Sequence, residues 1–224
     1  MDYLIQHFDR VGPRLAEHIE IAGLTLVIAL LIAIPLGIGL SRVPVLATLV
    51  LGALGVVYTI PSLALLAFLV PFFGLGTTTA VIALVAYSQF ALVRNVVVAF
   101  AGVDPAVREA ARGMGLTPAQ VLWQVEWPLA LPLILAGARI ATLLIIGLTT
   151  IAAWVGAGGL GQILRTGVTQ DNPPVIVAGV ICVSAMALVA DLAFRALERK
   201  ALVYRSPLRA DGPNRNAEET PLYV

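Results

Sequence analysis

The sequence predicts an all-α fold: a polytopic membrane helical bundle of about five transmembrane helices, with a cytoplasmic helical hairpin between the third and fourth spans. Three observations carry this. The 224-residue chain is 59% hydrophobic and only 12% charged, against about 25% charged residues in an ordinary soluble domain. No charged side chain occurs from Val43 to Val93, a stretch long enough to cross a roughly 30 Å hydrocarbon core twice. The segment "EAARGMGLTPAQVLWQVEWP" (109–128) then interrupts the apolar runs with charge and glycine.

The N-terminal segment "MDYLIQHFDRVGPRLAEHIE" mixes acids with bases and lacks the continuous apolar core of a signal peptide. Leu4, Phe8, Val11 and Leu15 share a helical face that Pro13 interrupts. Residues 1–18 are read as an extracytoplasmic lead-in, either lying on the membrane or leading into the first span.

Five spans follow within a transmembrane domain of residues 19–199: about Ile19–Leu40, Val45–Val70, Thr77–Ala101, Leu129–Ala153 and Pro174–Ala196. Backbone groups in lipid must pair internally, so the spans are helices. The alternation of a membrane barrel is absent. Pro35 and Pro61 fall inside spans and are expected to kink them. Gly137 with Ala141, and Gly52 with Gly55, offer small surfaces for close helix packing.

Basic residues set the orientation. With the 109–128 segment in the cytoplasm, the inner set holds Arg42, Arg108, Arg112, Arg195, Arg199, Lys200, Arg205, Arg209 and Arg215, and the outer set only Arg10, Arg14 and Arg165. This places the N-terminus outside and the C-terminus inside. Arg94 and Arg139 lie in apolar runs near predicted cytoplasmic ends and read as snorkelling anchors. Residues 200–224 have proline, glycine and mixed charge without helical period. They read as a cytoplasmic tail dispensable for pore formation.

The interrupting segment has its own logic. Asp104-Pro105 is an acidic N-cap with proline at the first helical position. Val103, Ala106, Val107, Ala110, Ala111 and Met114 make one apolar face, with Asp104, Arg108 and Arg112 opposite and Glu109 at the edge. Gly113 and Gly115 break that helix. Thr117 and Gln120 predict a capping box opening a second helix to about Glu126, before Pro128 starts the next span. Residues 103–127 are thus two short helices with a glycine elbow. They fit either a lever driven by a cytoplasmic partner or an amphipathic hairpin on the membrane surface.

This segment resembles the cytoplasmic "EAA" signature of binding-protein-dependent ABC importer permeases: Glu-Ala-Ala, three residues, Gly, then nine residues to an aliphatic position shortly before Leu-Pro. Glu109, Ala110, Ala111, Gly115, Val125 and Pro128 match, and Trp127 departs from the usual leucine. The longer strings "YTIPSLALLAFLVPFFGLGT", "RNVVVAFAGVDPAVREAARGMG", "PLALPLILAGARIAT" and "VGAGGLG" are similar to the glycine betaine/carnitine/choline permease branch, of methionine-permease-like fold. The resemblance implies that residues 109–111 and Gly115 couple to the ATPase. It implies two ATP-binding subunits that carry ATP and Mg, an extracytoplasmic substrate-binding protein, and a second permease chain, identical or paralogous. Tyr58, Pro61, Ser62 and Trp154 are candidates for the pathway or gate. An aromatic cage for a quaternary ammonium is expected chiefly in the binding protein.

Other patterns point away from chemistry in this chain. "GAGGLG" matches G-x-G-x-x-G at Gly156, Gly158 and Gly161, but no strand precedes it, so a flexible or tightly packed outer turn is expected. Asp171 and Asn172 in "QDNPP" read as a turn into a proline-started helix. The single lysine, Lys200, lacks the glycine and hydroxyl neighbours of a Walker A loop. Cys182 is the only cysteine, and His7 and His18 lie far from it in sequence; neither a metal nor another resident cofactor is expected. A net charge of +1 gives no reason to expect nucleic acid. Membrane lipid is the expected surround. Two alternatives stay open: a permease for another small solute, such as an amino acid or related amine, and an ion-coupled secondary carrier, which should show internal repeats and intramembrane acids.

Overall fold

The computed structural model describes residues 8–203, which are helical with short connections. The expected tail beyond 203 lies outside the described residues. α1 (Phe8–Leu40) runs through both Pro13 and Pro35 without ending. From Phe8 onward the lead-in and the first span are therefore one helix. α2 (Pro44–Thr59) and α3 (Ser62–Phe73) meet at a bend of 94°.

The kink expected at Pro61 thus divides the second span, Val45–Val70, into two helices. Pro61 has no N–H and disfavours helical backbone at the residue before it; Ile60 sits at φ −66°, ψ 130°. The Tyr87 hydroxyl donates to the Ile60 carbonyl that the break frees.

α4 (Thr77–Ala101) is the central helix, packed between α1 and α7 (Trp127–Ala152), while α9 (Pro173–Val203) lies on α7. Small side chains permit this contact. Ala29, Ala33, Ala138 and Ala141 are all buried beside Leu92, Val93 and Val97. Lipid tails are as apolar as leucine, so such helices associate through close packing rather than the hydrophobic effect. Of the two small-residue pairs, Gly137 and Ala141 are buried in the bundle, whereas a Cβ added at Gly52 would meet nothing within 4 Å and one at Gly55 only the Phe90 ring, at 3.5 Å.

The hairpin is also built differently from expectation. α5 (Pro105–Gly113) ends as foreseen, with Gly115 at φ +85°. The second helix does not stop before Pro128. α6 (Pro118–Gln120) passes through a π-helical turn (Val121–Glu126) directly into α7. Pro128 lacks the N–H that an α-helix would need at that point, and the wider π-helical turn before it lets the rod continue. A 3-10 turn (Ala153–Val155), the glycine loop and α8 (Gly161–Thr169) then lead to α9. Asp171, at φ +47°, and Asn172 form the expected turn before Pro173. Among the described residues, four helices are long and apolar enough to cross a membrane, or up to five if the bent pair counts as one.

Candidate functional site: a carboxylate-anchored helix and a glycine loop

Residues far apart in sequence gather at both ends of the bundle. At one end stands α5. Asp104 caps it, its Oδ1 accepting from the Ala106 N–H at 2.8 Å. The capping box of α6 is present, with Thr117 N donating to Gln120 Oε1 at 2.8 Å. Ala106, Glu109, Ala110 and Met114 are exposed, whereas Val103 and Ala111 are buried. The proposed contact set is therefore split. Glu109 and Ala110 face outward, Gly115 shapes the elbow, and Ala111 packs underneath.

Arg108 corrects the expected polar face. Its side chain is only 18% exposed and turns inward, its Nε donating to Glu126 Oε1 at 2.7 Å. A second Arg108 N–H donates to the Phe100 carbonyl. Arg42, at the end of α1, reaches the same carboxylate through both of its terminal nitrogens. Glu126 is thus buried, at 1% exposure, and bonded to two guanidiniums from two other segments. No sequence motif assigns Glu126 a role. The only available signal was a lone acid ending a helix among aromatic and aliphatic neighbours.

Arg139 is corrected as well. Instead of snorkelling it bridges α7 to α9, 3.5 Å from Asp191 and 3.1 Å from Glu198, while Arg195 lies 2.5 Å from Asp191. Arg94 has no acidic group within 4 Å among the described residues.

At the opposite end of α1, the glycine loop is clamped. The Gly159 N–H donates to Glu17 Oε2 at 2.9 Å, and the Leu160 N–H donates to His18 Nδ1 at 3.2 Å. His18 Nε2 lies 3.2 Å from the Ile146 carbonyl, which fixes the ring's proton on that nitrogen. Gly156, Gly158 and Gly159 all have φ between 70° and 88°, a region that disfavours side chains. The loop is therefore a tightly packed turn, without the strand that a dinucleotide site needs.

The four pathway candidates do not form one cluster. Tyr58, Pro61 and Ser62 sit at the elbow before α3. Trp154 belongs to the turn whose Val155 carbonyl accepts from Gly76, beyond the other end of α3. About 18 Å of helix separates the two groups. Tyr58 instead stacks near Phe90, with ring centroids 5.3 Å apart.

Comparison with known proteins matches this architecture. Residues 26–203 match the family described as the binding-protein-dependent transport system inner membrane component. The chain is 36% identical over 204 residues to the choline transport system permease protein OpuBB of Bacillus subtilis, covering 89% of this chain and 94% of that one. It is 38% identical over 202 residues to the carnitine transport permease protein OpuCB of Listeria monocytogenes, covering 88% and 93%. It is 38% identical over 194 residues to the osmoprotectant import permease protein OsmW of Salmonella typhimurium, covering 84% and 90%. Among solved structures, the inward-facing MetNI methionine ABC transporter superposes with a TM-score of 0.78 at 23% identity, covering 90% of this chain and 99% of that one. The chain belongs to the family of inner-membrane components of binding-protein-dependent transport systems.

Proposed function

We propose that this chain is the membrane-spanning permease subunit of a bacterial ABC importer for osmoprotectants such as glycine betaine, choline or carnitine. An extracytoplasmic binding protein delivers the solute. Two separate subunits hydrolyse ATP with Mg, and a second permease chain completes the pathway. The observation that carries the coupling role is α5: a short exposed helix presenting Glu109 and Ala110, tied through Arg108 to the Glu126 carboxylate. Glu126 lies in the rod that continues into α7, and Arg42 joins it to α1. A push on α5 from an ATPase would therefore reach two spans at once. The solute class is supported by the relatives, whose names carry choline, carnitine and osmoprotectants.

The orientation belongs to the same proposal. The N-terminus lies outside and the C-terminus in the cytoplasm. Arg42 and Arg108, both assigned inward by charge, meet at one carboxylate, as residues on one side must. Residues 1–18 serve as the lead-in, 19–199 as the transmembrane domain with its coupling segment 103–127, and 200–224 as a dispensable tail.

The test is uptake of radiolabelled glycine betaine, choline and carnitine by cells lacking their own osmoprotectant importers and expressing this chain with its partner subunits. ATP-dependent uptake of at least one supports the reading. Uptake of an amino acid alone would replace the solute class, and uptake without an ATPase would overturn the importer class.

A further inference from the structure

A cavity of about 420 Å³ opens beside the elbow, lined by Tyr58, Phe90, Arg94, Asn95 and Ile140 among others. Its walls differ in chemistry. On one side the Tyr58 and Phe90 rings lie 5.3 Å apart with planes tilted by 32°. On the other, Arg94 follows Phe90 by about one turn of α4 and projects from the same face, and Asn95 lines the cavity beside it. Arg94 has no acidic partner among the described residues. It lies about 10 Å short of the end of α4. Arg94 is exposed on this chain's surface, and a charge within an apolar span is a pathway hypothesis by default.

The polar side is held in place. A Cβ added at Gly137 would fall 2.5 Å from the Asn95 Cβ, so the α7 backbone abuts this side chain. Asn95 donates one amide N–H to the Ala91 carbonyl at 2.8 Å, which leaves the other for a ligand. Arg139, the comparable intramembrane arginine, has its charge balanced by Asp191 and Glu198; Arg94 does not.

We propose that this cavity is a solute site on the transport pathway that takes a zwitterion, the carboxylate held by Arg94 and Asn95 and the quaternary ammonium held against the rings of Tyr58 and Phe90. The proposal rests on the osmoprotectant reading above and narrows it. A guanidinium binds a carboxylate through paired N–H groups, and aromatic faces attract a desolvated ammonium. A small betaine presents both charges within one helical turn's span. Choline has no carboxylate, and its single positive charge meets Arg94 as a like charge. Lysine would keep the charge but lose the planar fork.

The experiment uses the complete transporter in proteoliposomes, with its binding protein and ATPase, and measures maximal uptake of glycine betaine and of choline. Substrate selection by the binding protein is the same for every permease variant, so changes relative to wild type report on the permease. Arg94→Gln is expected to lower glycine betaine uptake tenfold or more, and choline uptake less than threefold. Arg94→Lys should fall between, and Phe90→Leu should lower both. If Arg94→Gln does not assemble, the betaine-to-choline ratio of Arg94→Lys decides, with a threefold or larger fall expected and an unchanged ratio overturning the proposal. Unchanged glycine betaine uptake in Arg94→Gln overturns it. An equal fall in both solutes does so too, since that is the behaviour of a lipid anchor or packing residue. Wild-type uptake of choline alone overturns the zwitterion site and leaves the osmoprotectant reading standing. Wild-type uptake of neither removes both.

Discussion

Arg108 Nε lies 2.7 Å from Glu126 Oε1, which ties the short helix α5 to the turn that becomes α7. Glu126 is buried and Arg108 nearly so. Removing one member of a buried pair strands the other charge, typically at about 3–5 kcal/mol. Glu126→Ala leaves two arginines facing each other, and about 3 kcal/mol of destabilisation is expected. Arg42→Ala should cost less than about 1 kcal/mol, because Arg42 is 42% exposed and water screens its charge. Unfolding of the purified variants by denaturant measures both. Equal stability of Glu126→Ala and wild type would show that the carboxylate does not hold the hairpin.

The split of the alanines separates docking from folding. Ala110 is exposed and Ala111 is buried. Ala110→Trp and Glu109→Ala should reduce uptake at least tenfold with the permease stably inserted. Ala111→Trp should instead destabilise the permease itself, by about 1–3 kcal/mol from overpacking. Co-purification of the ATPase subunit alongside thermal unfolding reads the difference. Full uptake by Glu109→Ala in an intact complex would remove Glu109 from coupling.

The clamp on the glycine loop predicts sensitivity at a site with no charge chemistry of its own. His18→Ala leaves the Leu160 N–H without its acceptor and removes the contact to the Ile146 carbonyl. An unsatisfied buried group costs about 1–3 kcal/mol. Gly158→Ala should be at least as harmful, since φ is +88° and a Cβ would collide with the Glu17 carboxylate. Both should lower the thermal unfolding temperature. Wild-type stability in both variants would mean that the loop holds its shape without the clamp.

Orientation is open to chemical labelling. In a Cys182→Ser background, a cysteine at position 2 should react with an impermeant thiol reagent added outside intact cells, and one at position 216 should not. Both positions lie outside the described residues. The reverse labelling would put α5 on the outer side and end its role in coupling.

The sequence by itself determined the membrane class, the helical fold, the hairpin's position and both of its caps. These follow from local quantities: charge-free runs of span length, proline at a first helical turn, glycine at a left-handed position, and Thr117 three residues before Gln120. The EAA-like match was legible for the same reason, since its residues are close in sequence.

Only the tertiary structure decided what the isolated charges do. Glu126 meets Arg42 and Arg108 across three segments, Arg139 meets Asp191 and Glu198 across two helices, and Glu17 and His18 reach a loop 142 residues away. Pairing cancels a buried charge only within a few ångströms, and no sequence spacing encodes that distance. The break at Pro61 belongs to the same category. Proline permits either a kink or a continuous helix, as Pro35 illustrates, and the Tyr87 hydroxyl on the Ile60 carbonyl is a contact between helices that stabilises the break. Helix periods are local physics and were readable, whereas charge compensation is a property of packing.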